Sequence, residues 1–169
     1  LKIQDGERAY DYEAMVENEI DSLFMRFKCS NKVLSIVISQ EIVSAEANNI
    51  KVTIDVQDLT LDFISDLDIT ALFANIWDNA IEACRKIDEH NRFIEFVMKK
   101  VNGFILINVR NSYDGNIKTD KEHILTTKNN HIGVGLSIIK SITEKYDGLF
   151  VEEHTDSEFK IEVTLPNQS

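Results

Sequence analysis

The sequence predicts an α/β (α+β) two-layer sandwich, a mixed and largely antiparallel sheet packed against helices on one face. Three observations carry this reading. Segments with apolar residues at every second position alternate with segments whose apolar residues recur at steps of three and four. After two leading helices the order is strand, helix, strand, strand, long loop, helix, strand, strand. Neighbouring strands joined by short turns pair antiparallel, which fits a one-sided sandwich better than a doubly wound parallel sheet.

The elements follow in order. Residues 7–28 read as a helix, with Ala9, Tyr12, Val16, Ile20, Leu23 and Phe27 on one stripe. The stripe fits either a core-facing helix or the stub of a dimerisation helix. A second helix spans 32–48 and ends at Asn48-Asn49. Residues 50–56 alternate as a half-buried strand. The clearest helix covers 69–87, where Ile69, Leu72, Ile76, Ala80, Ala83 and Ile87 form the packing stripe. Strands are expected at 92–98, 104–110, 149–154 and 158–165. The last helix begins near Gly133, runs to Tyr146 and is closed by Asp147-Gly148. Between these elements, residues 112–132 form a polar stretch without periodicity, long enough to read as a lid.

Composition bounds the function. The chain has 169 residues, 43% of them hydrophobic, so it can bury a core without a disulfide or metal staple. Its net charge of -11 excludes a general binder of nucleic acid, which needs a basic face to displace counterions. Cys29 and Cys84 show no metal-ligand spacing and read as buried thiols in a reducing compartment. No apolar run reaches the length of a membrane span. The chain opens at Leu1 and reads as a soluble fragment of something longer.

Two constellations can carry chemistry. Asn75, Asn79, Glu82 and Lys86 lie three or four residues apart and share a narrow helical face distinct from the apolar stripe. Amide and carboxylate oxygens so arranged suit Mg²⁺, which takes few protein ligands beside phosphates and water. Taken alone, such a face is more often simply solvated. Two mid-helix asparagines nevertheless cost helix propensity that something should offset. The second constellation is Gly133-Val134-Gly135-Leu136 at the start of the last helix, preceded by Thr126-Thr127-Lys128-Asn129-Asn130-His131. Glycines at a helix N-terminus admit an anion to backbone N–H groups, where the helix dipole favours negative charge. Neither a P-loop nor a dinucleotide fingerprint is present.

Residues 72–83, with the core Asp78-Asn79-Ala80-Ile81-Glu82-Ala83, resemble the N-box of sensor histidine kinase catalytic domains, the Bergerat or GHKL ATP-binding fold shared with gyrase, Hsp90 and MutL. The core is most similar to Agr-type peptide quorum-sensing kinases of Gram-positive bacteria. His131-Ile132-Gly133-Val134-Gly135-Leu136 resembles the second glycine box, and the loop before it the ATP lid. The resemblance covers about 32–166. It implies a catalytic domain at 31–169, a dimerisation hairpin remnant at 1–30, and ATP with Mg²⁺ as cofactors. It implies Asn79 as the metal ligand, with Asn75 and Lys128 beside it as the catalytic set. Glu82, Lys86, Asn111, His131, Gly133, Gly135 and Leu136 complete the nucleotide contacts it implies.

Three departures accompany the resemblance. Asn111 stands where the family's adenine-binding Asp is expected, with Asp114 as the alternative register. An amide oxygen can accept the adenine amino proton, though more weakly than a carboxylate. The aromatic box before the lid is not recognisable, and Ile124-Leu125 is read in its place. Asn75 replaces the Glu with which ATP-hydrolysing relatives activate water, and an amide is no general base at neutral pH. The resemblance therefore implies phosphoryl transfer rather than hydrolysis. None of His90, His123, His131 and His154 lies in the first two helices, so the phosphoacceptor histidine is expected outside this chain. The implied partners are that histidine, a response regulator and a second copy in a homodimeric membrane sensor, with no nucleic acid.

Overall fold

The structure, a computed structural model, describes residues 25–115 and 133–167. Residues 7–24 of the first expected helix and 116–132 of the expected lid, with Lys128 and His131, lie outside the described residues.

Among the described residues, three α-helices and five strands form the sandwich: α1 (Lys32–Ala47), β1 (Lys51–Val56), α2 (Asp66–Cys84), β2 (Phe93–Val101), β3 (Phe104–Ser112), α3 (Val134–Lys145), β4 (Leu149–His154) and β5 (Glu158–Pro166). The sheet order is β1-β2-β3-β5-β4. Only β1 and β2 run parallel, and every other pair is antiparallel.

Side chains of β3 alternate about the sheet. Ile105, Ile107 and Val109 are buried under the helices together with Phe96, Ile161 and Val163. Trp77 and Phe73 of α2 set their rings edge-on to Phe96, with centroids 5.6 and 6.0 Å apart. On the opposite face Arg110 bridges Glu95 and Glu158 across three strands. This division of apolar and charged rows makes the sandwich one-sided.

Local chemistry sets the boundaries. Asn31 caps α1 by accepting from the Leu34 N–H, and Ser65 caps α2 by accepting from that of Asp68. That cap starts α2 three residues before the expected Ile69, and the helix ends at Cys84 rather than Ile87. A short 3₁₀ turn at Glu89–Asn91 follows, which periodicity does not reveal. Asn102 and Gly103, both at positive φ, make the β2–β3 turn. Beside them β2 extends to Val101 instead of stopping at residue 98.

The expected helix does not continue through residue 28. Residues 25–29 lie outside any helix, because their backbone bonds go to serines of α1. The Phe27 N–H donates to Ser39 Oγ and the Cys29 N–H to Ser35 Oγ, both at 3.0 Å. Each hydroxyl donates back to a carbonyl, Ser39 to Phe27 and Ser35 to Cys29 and Asn31. Two residues of extended chain advance about 6.6 Å and one i,i+4 helix step about 6 Å, so two serines can pair with alternate strap residues.

Candidate functional site

Helices α2 and α3 run antiparallel. Asp68 near the start of α2 meets Lys145 and Tyr146 at the end of α3, while Asn75 and Asn79 meet Gly135 at the beginning of α3.

At this second meeting point the fit is close. A Cβ on Gly135 would lie 3.0 Å from Nδ2 and 3.1 Å from Oδ1 of Asn79, and 3.3 Å from Oδ1 of Asn75. Only a glycine lets α3 approach so far without displacing an amide. Asn75 is anchored, since its Nδ2 donates to the Ala71 carbonyl at 2.7 Å. Its Oδ1 is the atom nearest Gly135. Asn79 Nδ2 is buried and has no hydrogen-bond partner among the described residues. An orphaned buried amide carries a desolvation cost of about 1–3 kcal/mol, which a functional acceptor would relieve. The amide's O and N are interchangeable by a flip. The group can therefore offer an oxygen to a cation or an N–H to a phosphate.

Helix α3 begins at Gly133 with no side-chain cap. The first-turn N–H groups of a helix lack intrahelical partners, so this end suits an anion. The residues present fit a magnesium-bound polyphosphate: two amides, uncapped helix donors, and a cleft that a single methyl group would crowd. Among the described residues no group of three His, Cys, Asp or Glu could hold a metal. A hard cation here would depend on amide oxygen, phosphate and water.

The other expected residues are distributed unevenly. Leu136 is half-buried against the core beside Gly135. Glu82 and Lys86 are exposed and pair with each other at 3.5 Å. Asn111 is 2% exposed on the helix-facing side of β3, between Ile94 and Phe159 in register, and its Nδ2 donates to the Ser112 carbonyl. Asp114 is half-buried just beyond it. Cys84 is buried and contacts Ser112, and Cys29 is half-buried against Ser35; both thiols are free. Burial pushes the Cys84 thiol up.

Sequence reasoning did not find two further groups. Asp68 collects Lys145, Tyr146 and Ser65, and these hydrogen bonds hold its carboxyl at about 2. Glu41 of α1 is half-buried facing Asp78 of α2; burial, then the Asp78 charge, raises its carboxyl to about 7. The Ser65…Asp68 spacing of an N-cap was a usable signal for the first group. A cavity of about 710 Å³ opens elsewhere, at the sheet end between Lys51, His90, Phe93, Tyr113 and Glu158. It does not include the amides or glycines of the cleft.

The five-stranded mixed sheet with its three helices matches the α/β sandwich of GHKL histidine kinase catalytic domains. The GHKL domain family matches residues 64–166, and the chain belongs to that family. Among solved structures it is similar to the catalytic domain of histidine kinase ThkA, with a TM-score of 0.61 and 21% identity over 81% of this chain and 91% of that one. A mycobacterial sensor histidine kinase, MprB, gives 0.60 and 13% identity over 80% and 93%. The Acinetobacter baumannii histidine kinase AdeS gives 0.59 and 14% over 92% and 74%. At such identities these likenesses carry the fold alone. No curated protein matches the chain.

Proposed function

We propose that this chain is the catalytic domain of a two-component sensor histidine kinase of the Agr type, binding Mg·ATP and passing the γ-phosphoryl group to a histidine outside the chain. The observation that carries the reading is the orphaned Asn79 amide packed against Gly135. When bound, Mg·ATP supplies the transferable phosphoryl group. Asn79 holds the metal, and Asn75 sits beside it, fixed by its bond to Ala71. Backbone donors at Gly133 and Gly135 take phosphate oxygens, with Lys128 and His131 assigned to the same end from sequence. Asn111 accepts from the adenine amino group. Glu82, Lys86 and Leu136 complete the nucleotide contacts.

Asn75 supplies no general base. The site positions phosphates and offsets charge without activating water, which suits transfer to an imidazole. Among the described residues no helix is long and apolar enough to cross a membrane. The wider assembly of the proposal is a homodimeric membrane sensor whose hairpin ends before the strap at residues 25–29 and whose phosphoryl group passes on to a response regulator.

Thermal unfolding with and without Mg·ATP tests this function. Nucleotide at a hundred times its Kd should stabilise the fold by about 2.7 kcal/mol. No shift at millimolar concentration would end the proposal.

One observation favours a second reading, a non-catalytic interaction module. Asn111 is buried and already donates to Ser112, with the Phe159 and Tyr113 rings 5.8 Å apart close by. Phosphotransfer from labelled ATP to a separately supplied hairpin separates the two readings: label on the hairpin histidine supports the kinase, and nucleotide binding without transfer supports the module. A GHKL ATPase would instead release phosphate steadily from this chain alone.

A further inference from the structure

Asp68 precedes Asn79 by 11 residues on α2, and Tyr146 follows Gly135 by 11 on the α3 side. The antiparallel pair therefore meets at two points about 16 Å apart along the helix axes. The two meetings differ in kind. At the cleft end Gly135 touches Asn75 and Asn79 through close packing. At the far end the contact is a hydrogen-bonded cluster. Oδ2 of Asp68 accepts from Lys145 Nζ at 2.6 Å, Tyr146 OH at 2.6 Å and Ser65 Oγ at 2.7 Å. The Ser65 N–H donates to Tyr146 OH at 3.0 Å, and Phe63 packs edge-on against the Tyr146 ring. The Asp68 side chain is only 13% exposed, so this cluster is partly shielded from solvent.

We propose that Asp68 and Tyr146 are positioning residues for the phosphate end of the cleft: their clamp fixes the angle of α3 and so the distance of Gly135 from Asn79. The inference rests on the nucleotide-binding reading above. A 12-residue helix behaves as a short rod. A tilt of about 10° about the clamped end moves the other end by about 3 Å, as much as a hydrogen bond is long. The carboxyl of Asp68 lies near 2, so the clamp stays charged throughout the neutral range. The adenine end, assigned to Asn111 on β3, belongs to the sheet and does not ride on α3. Loosening the clamp should therefore separate the two ends of the ligand.

The test is titration of the 169-residue chain with a nonhydrolysable ATP analogue, with and without Mg²⁺, and with adenosine. Tyr146→Phe keeps the ring and removes the hydroxyl. It should cut the Mg²⁺-dependent gain in affinity five- to tenfold and leave adenosine affinity within twofold of the parent chain. Asp68→Asn should do the same, and the double variant should be no worse than the stronger single one. Lys145→Gln, at an exposed position, gives a milder loss and remains available if either variant unfolds. An unchanged magnesium-dependent gain, with only the unfolding midpoint lowered, would overturn the proposal by making the clamp merely structural. Equal weakening of analogue and adenosine would overturn it as well. A parent chain that binds no nucleotide would overturn the functional reading beneath it, a result separable from the others because it needs no variant.

Discussion

One carboxamide and one missing methyl group define the cleft at the scale of residues. Asn79 is half-buried, its Nδ2 atom shielded from solvent and unpaired among the described residues, and Gly135 leaves just enough room beside it. Asn79→Ala should abolish the magnesium-dependent part of the thermal shift while leaving the ligand-free midpoint unchanged or higher, because a buried orphan is removed. Gly135→Ala would bring a methyl group to 3.0 Å from the Asn79 side chain, which can swing away. The fold should survive it, with the nucleotide Kd about tenfold higher by calorimetry, equivalent to about 1.4 kcal/mol. Glu41 gives a pH test. Its carboxyl is raised from 4.5 to about 7 in the folded chain, first by burial and then by Asp78. The folded chain thus binds more protons than the unfolded one across that window, and stability falls as pH rises through it. Glu41→Gln should therefore raise the urea midpoint at pH 8 and change it little at pH 4.5.

At the scale of elements, contacts distant in sequence decide how the pieces meet. The strap at residues 25–29 is fixed by Ser35 and Ser39, whose hydroxyls both accept and donate. Ser39→Ala leaves the Phe27 N–H and carbonyl without that hydroxyl, and urea unfolding should show a loss of about 1–3 kcal/mol. Gly148 closes α3 where a Cβ would meet the Thr164 carbonyl at 2.6 Å. Backbone cannot swing aside as Asn79 can, so Gly148→Ala should cost more stability than Gly135→Ala, on the order of 1–3 kcal/mol. The sequence showed the strands and helices because alternation and helical period are local. It placed the start of α2 late because an apolar stripe carries no information about the Ser65 cap outside it. It extended the first helix through residue 28 because Phe27 continued the stripe, whereas the serines that capture the strap lie six and twelve residues away in sequence. The Asp68–Tyr146 contact, across 78 residues, had no local signature at all.

At the scale of the whole molecule, a chain of net charge -11 is assigned a polyanionic ligand. Nothing in its overall field favours that ligand, so binding must come from local donors and a metal. The fold supplies the geometry: α2 and α3 lie on one face of the sheet, and their antiparallel packing brings the amides of Asn75 and Asn79 to the uncapped end of α3. The order of the described elements was legible in the sequence, and the two motif resemblances rest on short, contiguous patterns. The burial of Asn111 was not legible, because its cross-strand neighbours Ile94 and Phe159 are remote in sequence. The most direct measurement is a crystal structure of the chain with Mg²⁺ and a nonhydrolysable ATP analogue. The account expects the metal on Asn79 and the phosphates between the two asparagines and Gly133–Gly135. An analogue seated only in the 710 Å³ cavity at the sheet end, or a cleft closed by the protein's own side chains, would contradict it.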